Sequence, residues 1–279
     1  MALYITKSSG EQEPFNLQKF TRSLSRVGAD PSTISKLAEE VMRIPGLHTT
    51  KDIYAYAYNH LLSLEPAAAV RYNLKHALYQ LGPVGFPFEQ YVAELFRHQG
   101  YQVKTNQIIK GICIDHETDV IARNAHVHAI IECKFRNLQG EHINIKVPLY
   151  VKARYDDITA KHTSSKEPPY NQLWIVTNTR FTDSAKIYSR CAHIHLLGWG
   201  YPKNNGIEVL IDTLRLHPIT ILRSINHQQK ARLIQEGILL CKDIRNKRDI
   251  LDKLGFPQEL INQIIIESEA LYNNTSSTY

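Results

Sequence analysis

Ile130-Ile131-Glu132-Cys133-Lys134-Phe135 closes an apolar run that begins at Val127, and a short way upstream stands His116-Glu117-Thr118-Asp119-Val120-Ile121. Side chains alternate faces along a strand, so Glu132 and Lys134 share one face while Ile131, Cys133 and Phe135 turn to the other. The same rule groups Glu117 with Asp119. Both stretches read as neighbouring strands, the one that begins at Val127 a buried central one, where charge is costly and its presence points to function. Two carboxylates and a lysine converging on one sheet face can hold Mg²⁺ through oxygen ligands and set an ammonium beside an attacking water, as phosphodiester hydrolysis requires. Nowhere else in the chain does an acid precede a lysine by two.

With Asp119 upstream and Glu132-x-Lys134 downstream, the sequence resembles the PD-(D/E)xK nucleases, most nearly their Mrr-like restriction endonuclease branch. The resemblance covers roughly residues 83 to 200. It implies an α/β/α core, DNA as substrate, Mg²⁺ or Mn²⁺ held by Asp119 and Glu132, Lys134 as the catalytic lysine, and a helix whose acid points at the site. Phe86-Pro87-Phe88-Glu89-Gln90-Tyr91-Val92-Ala93-Glu94-Leu95-Phe96 supplies that helix, with Phe88, Val92, Leu95 and Phe96 as its apolar stripe and Glu89 as the acid. Where the family favours a Pro-Asp this chain has His116-Glu117-Thr118, so Asp115, Glu117 and Asp119 all compete for the upstream ligand; Asp119 is the expected one. Tyr101-Gln102-Val103 and Gly111-Ile112-Cys113-Ile114 read as further strands. A helix from Ile145 to Ile158, a strand Leu173 to Thr177, a helix from Thr182 and a strand Ile194 to Leu197 complete the core.

The first 82 residues read as a different unit. Leu3 to Lys7 and Glu13 to Phe15 are strands about a turn at Ser8-Ser9-Gly10; Asn16 caps a helix from Leu17 to Val27, and helices follow over Ser32 to Met42, Thr50 to Leu64 and Ala67 to Leu81. The pattern Ile5-Thr6-Lys7-x-x-Gly10-x-x-Glu13-Pro14-Phe15-Asn16-x-x-Lys19, then Thr50-x-Asp52-Ile53 and Arg71-Tyr72, resembles the ATP-cone, a nucleotide-sensing module. That resemblance implies ATP or dATP as a regulatory ligand and self-association through this unit as a mode of control. Lys7 and Lys19 would meet phosphates, while Glu13, Asn16 and Thr50 would bond base or ribose. The family carries an arginine after the first lysine, whereas this chain has Ser8, which removes one phosphate contact; Arg71, Lys75 and His76 are candidates to replace it.

Leu81-Gly82-Pro83-Val84-Gly85 marks a short boundary, so the expected organisation is 1–82 ATP-cone, 83–203 nuclease and 204–279 helical. In the last part Ile207 to Leu214, Ile219 to Ile225, Gln228 to Gln235, Lys247 to Leu254 and Glu259 to Tyr272 carry helical periodicity. Their lengths resemble helix-hairpin-helix DNA-backbone binders, although Asn226-His227 stands in place of a Gly-x-Gly hairpin. The tail from Asn273 to Tyr279 is polar, with the composition of a disordered segment.

Composition sets the remaining bounds. At 279 residues, with 33 Lys+Arg against 27 Asp+Glu, the formal charge is +6, compatible with a polyanionic partner. No apolar run approaches a membrane span and no basic-then-apolar start marks a secretory signal, so a cytoplasmic protein without membrane contact is expected. Four cysteines without a C-x-x-C pair argue against structural zinc and against a disulfide framework. Two functions fit these residues: a Mg²⁺-dependent DNA endonuclease gated by adenine nucleotide, or a nucleotide-responsive DNA-binding regulator on an inactive nuclease fold. The intact Asp119, Glu132 and Lys134 favour the first.

Overall fold

The structure, a computed structural model, describes residues 4–6, 10–44, 46, 48–138, 140–162 and 169–273. The chain divides into two compact units, one of residues 1–75 with 270–279 and one of residues 76–269.

In the first unit, β1 (Tyr4–Thr6) and β2 (Gln12–Pro14) form an antiparallel hairpin with Ile5 opposite Glu13. Four helices follow: α1 (Leu17–Arg26), α2 (Pro31–Arg43), α3 (Thr50–Leu64) and α4 (Pro66–Tyr79), the last running on into the second unit. Local chemistry sets their starts. Asn16 accepts the Lys19 N–H at 2.8 Å, Asp30 accepts that of Ser32 with Pro31 at the first helical position, and Thr49 and Asp52 form a reciprocal capping box. Phe20, Leu24, Leu37, Val41, Ile53, Ala57 and Leu61, spaced at helical intervals, meet in one buried cluster.

The second unit is built on a sheet of order β3-β4-β5-β7-β9: β3 (Gln102–Lys110), β4 (Asp115–Arg123), β5 (His128–Lys134), β7 (Gln172–Thr177) and β9 (Ile194–Leu197). The first three are antiparallel, and β5, β7 and β9 are parallel. The parallel part requires crossovers, which α6 (Lys146–His162) and α7 (Asp183–Cys191) supply. A small parallel pair, β6 (His142–Ile143) with β8 (Arg180–Phe181), lies beside them. Ile130, Leu173, Ile175, Ile194 and Leu196 pack on Val147, Val151 and Ile158 of α6 and Ala185 of α7. The remaining helix before the sheet, α5 (Phe86–Arg97), buries Phe88, Tyr91, Val92, Leu95 and Phe96.

Gly111 to Ile114, expected as a strand, is instead the turn joining β3 to β4. Gly111 N–H returns to the Ile114 carbonyl at 2.8 Å, and the Asp157 carboxylate takes the N–H of Cys113 at 2.9 Å, so this backbone finds its partners in a turn and not in a ladder. Ile112 and Ile114, which prompted the strand reading, are exposed.

Beyond the sheet come α8 (Ile207–Leu214), α9 (His227–Gln235), α10 (Arg248–Lys253) and α11 (Gln258–Asn273), with 3₁₀ segments at Ile219–Ile221 and Cys241–Lys247. The helix expected over Ile219 to Ile225 shrinks to one 3₁₀ turn because Ile219 N–H bonds the distant Leu239 carbonyl at 2.8 Å. These helices up to residue 269 belong to the same unit as the sheet. Tyr91 of α5 donates to the buried Leu216 carbonyl at 2.7 Å, and Thr220 donates to that of Ala77 at 2.7 Å. Asn226 and Gln229 form a capping box for α9, so the position where a Gly-x-Gly hairpin was missing is an ordinary helix start. Residues 274–279, the tail read as disordered, lie outside the described residues.

Candidate active site

β5 is paired on both sides, with β4 and β7, which buries Glu132 to 4% exposure on its own strand. A buried carboxylate needs partners. Lys134 Nζ lies 2.6 Å from Glu132 Oε1, and Arg154 of α6 donates from Nη1 to Oε2 at 2.8 Å. The β4–β5 ladder ends on the Val120 and Ile131 pair, and Asp119 and Glu132 are the next residues along the two strands. Asp119 Oδ2 accepts the Cys133 N–H at 2.7 Å. On the partner strand β3, the residue that would face Asp119 is Asn106, in a left-handed conformation with φ 51° between the pairs Thr105 with Val120 and Gln107 with Thr118. Asn is among the few non-glycine residues that adopt this region readily.

The carboxylates feel one another. Burial, then the neighbouring Glu132 charge, pushes the Asp119 carboxyl up to about 7. Burial raises Glu89 as well, with Glu117 and Glu132 adding to the rise and Lys134 opposing it. For Lys134, burial works against the ammonium, but the Glu132 carboxylate and a hydrogen bond with Tyr150 outweigh it and hold the group above the usual lysine range. The Cys133 thiol is driven well above its usual range by burial, which leaves it inert.

The structure therefore brings Asp119, Glu132 and Lys134 together, and Glu89, in the first turn of α5, lies within reach of their charges. Of the competing upstream acids, Asp115 and Glu117 are exposed while Asp119 is drawn in beside Glu132. In the first unit, Glu13 lies on β2 and Asn16 spends its amide oxygen as the cap of α1. Lys19 is exposed, and Thr50 Oγ1 points at the Thr6 carbonyl at 3.5 Å, beyond good hydrogen-bond length. Lys7 and Ser8 lie outside the described residues. Arg71, a candidate phosphate contact, instead donates from Nε to the Val27 carbonyl at 2.7 Å, closing the C-terminus of α1.

Sequence reasoning passed over the support beneath Lys134. Thr177 donates to the Lys134 carbonyl at 2.6 Å; Asn178, fully buried, accepts the Arg136 N–H and donates to the Arg136 carbonyl, both at 2.9 Å. The signal was present: Thr177-Asn178-Thr179 is a polar triplet ending an apolar strand. Several basic residues of the C-terminal helices, a part whose helix lengths resemble DNA-backbone binders, serve as structural clamps. Arg232 donates to the Leu254 carbonyl, Lys247 to that of Gly237, and Arg248 to Gln258.

Among the described residues no three His, Cys, Asp or Glu gather into a metal-holding group. Asp119 and Glu132 still fit a hard cation of the Mg²⁺ kind, which is commonly held by one or two carboxylates with water and substrate oxygens completing the shell. A buried and a half-buried carboxylate side by side, the second raised toward neutrality by burial and then by the first, are a donor set that a divalent cation relieves.

The family described as restriction endonuclease matches residues 84–198, the segment holding every one of these sheet and helix residues. A second, described as AF1548-like, C-terminal, matches residues 217–272. An uncharacterized protein of Archaeoglobus fulgidus is 36% identical over 179 residues, which are 98% of its length and 64% of this chain. The chain belongs to the AF1548-like family. The crystal structure of AF1548, a protein of unknown function, is similar with 33% identity and a TM-score of 0.57, over 68% of this chain and all of that one. The chain thus carries a restriction endonuclease domain followed by an AF1548-like C-terminal part, and neither matched segment reaches residues 1–83. No described helix is long and apolar enough to cross a membrane.

Proposed function

We propose that this protein is a metal-dependent endonuclease that hydrolyses phosphodiester bonds of DNA at Asp119, Glu132 and Lys134. The observation that carries it is the convergence of these three side chains at one end of β5, within the segment that matches restriction endonucleases. Asp119 and Glu132 would hold Mg²⁺ or Mn²⁺. Bound there, the cation lowers the pKa of a coordinated water and offsets charge on the phosphate. Lys134, kept charged by Glu132 and partly exposed, offers an ammonium to the attacking water or to the non-bridging oxygens as charge builds in the transition state. Glu89 adds a further acceptor at the rim of the same site. Incubating the purified protein with supercoiled, linear and single-stranded DNA, with Mg²⁺ or Mn²⁺, tests the reading; no cleavage of any of them overturns it.

Control by ATP or dATP in the first 82 residues is the second half of the proposal. It rests on the residue pattern running from Ile5 to Lys19 and on the hairpin followed by four helices. Of the two lysines in that pattern, Lys19 is described, lies exposed in the first turn of α1 and can meet a phosphate, and α1's first N–H groups add their partial positive charge. Adding ATP or dATP to the cleavage assay, with sedimentation in parallel, tests whether binding alters rate or assembly, since a ligand shifts only states for which it has different affinity.

A further inference from the structure

The catalytic pair on β5 is matched by a second pair on α6. Glu132 and Lys134 are two residues apart on a strand, about 6.6 Å at a strand's rise, and Tyr150 and Arg154 are four apart on a helix, about 6 Å. The two spacings coincide, and each helical residue meets its strand partner. Arg154 Nη1 donates to Glu132 Oε2 at 2.8 Å, while its Nη2 donates to the Glu117 carbonyl on β4. Lys134 Nζ lies 5.6 Å from the centre of the Tyr150 ring. The α6 backbone that presents them is anchored by Val147, Val151 and Ile158 in the buried cluster under the sheet.

We propose that Arg154, with Tyr150 one helical turn before it, is a positioning residue for DNA hydrolysis: it fixes the Glu132 carboxylate and ties β4 to β5, so that Glu132 and Lys134 are held in register for catalysis. The inference rests on the nuclease reading above. Without Arg154, one oxygen of a buried carboxylate is released and Glu132 is free to turn wholly onto Lys134, which takes the lysine away from substrate. A guanidinium suits this place because its planar fork serves two acceptors at once, a side-chain oxygen and a backbone carbonyl. The Arg154 side chain is 28% exposed, against 5% for that of Glu132, so its outer edge reaches solvent while its donors point inward.

The test uses Arg154→Met, which keeps the apolar stem and removes the charge, beside Arg154→Lys and Tyr150→Phe. Outer partners of such ligands are commonly worth about 10–100-fold in activity. The single-turnover cleavage rate of Arg154→Met should fall by about that factor with DNA affinity within about twofold of wild type, Arg154→Lys should recover part of the loss, and Tyr150→Phe should lose about 2–10-fold. In metal-free protein, the Arg154 guanidinium should show separate, slowly exchanging N–H signals by NMR, lost in Glu132→Gln. Wild-type cleavage with an equally active Arg154→Met overturns the positioning role. So does a fall in DNA affinity that accounts for the whole loss, which makes Arg154 a phosphate contact. If wild type cleaves no DNA, the nuclease reading fails instead, and a freely rotating guanidinium in the NMR arm would then overturn the clamp on Glu132 independently.

Discussion

The backbone N–H of Cys133 donates to Asp119 Oδ2 at 2.7 Å, so the residue between Glu132 and Lys134 itself pins the acid of the neighbouring strand. One peptide thus sets the distance between two carboxylates that repel each other, and the strand pairing supplies what the repulsion costs.

Asp119→Asn, Glu132→Gln and Lys134→Ala are each expected to lower DNA cleavage by at least about 10²-fold while leaving DNA affinity close to wild type, because each alters charge at the reacting phosphate. A nicking assay on supercoiled DNA checks this, and undiminished nicking by Lys134→Ala would remove the lysine from the mechanism.

Cleavage should rise with pH through about 7, as Asp119 loses its proton, and the midpoint should move to lower pH as Mg²⁺ is increased, since cation and proton compete for one carboxylate. The stability contribution runs the other way. Asp119 in the folded chain binds its proton more tightly than in the unfolded chain, whose carboxyl titrates near about 3.9. Its contribution is therefore full below about 3.9 and lost as pH rises through about 7. Asp119→Asn should consequently be more stable than wild type at pH 8, by an amount on the order of a few kcal/mol at most. Urea denaturation at pH 8 measures it, and a destabilised Asn variant would contradict the electrostatic account.

Asn178→Ala should destabilise the protein by about 2–5 kcal/mol, because it strands both the N–H and the carbonyl of Arg136 without buried partners. Thermal unfolding and cleavage measured together should fall in step, since the Arg136 segment continues directly from Lys134. A melting temperature unchanged from wild type would show that water replaces the amide.

Asp157 braces the β3–β4 turn by accepting from His116, at 2.7 Å, and from the Cys113 N–H. The His116 hydrogen bond first, then that N–H, holds its carboxyl below the usual range. The sign follows: this stability is present above about 3.9 and is lost as pH falls toward the folded value. Asp157→Asn should lower the melting temperature at pH 7, and the gap from wild type should narrow below about pH 4; a gap that stays constant would assign the loss to packing.

For the first unit, calorimetry with ATP and dATP on the full chain should detect binding that Lys19→Ala weakens by roughly 10–100-fold, the loss of one charge-assisted phosphate contact of about 1.5–3 kcal/mol. Absence of binding at millimolar nucleotide would leave residues 1–82 as a unit of another purpose.

The sequence by itself determined the elements whose signal is local. Helix α3 runs over Thr50–Leu64 as its capping Thr49 and apolar spacing dictate, and β5 carries Glu132 and Lys134 on the one face that strict alternation demands. Where an outcome depended on groups far apart in the chain, only the tertiary structure decided. Gly111 to Ile114 had the composition of a strand but lay at the end of the sheet, where Asp157 takes its N–H groups. Among Asp115, Glu117 and Asp119, equal as residues, the β4–β5 register selected the one beside Glu132. Arg71, Asn178 and Arg154 acquired their roles from partners 44, 42 and 22 positions away, respectively. Periodicity reports the faces of single elements, whereas a buried charge or backbone group is satisfied by whatever the fold brings to it, and that is a property of the packed chain.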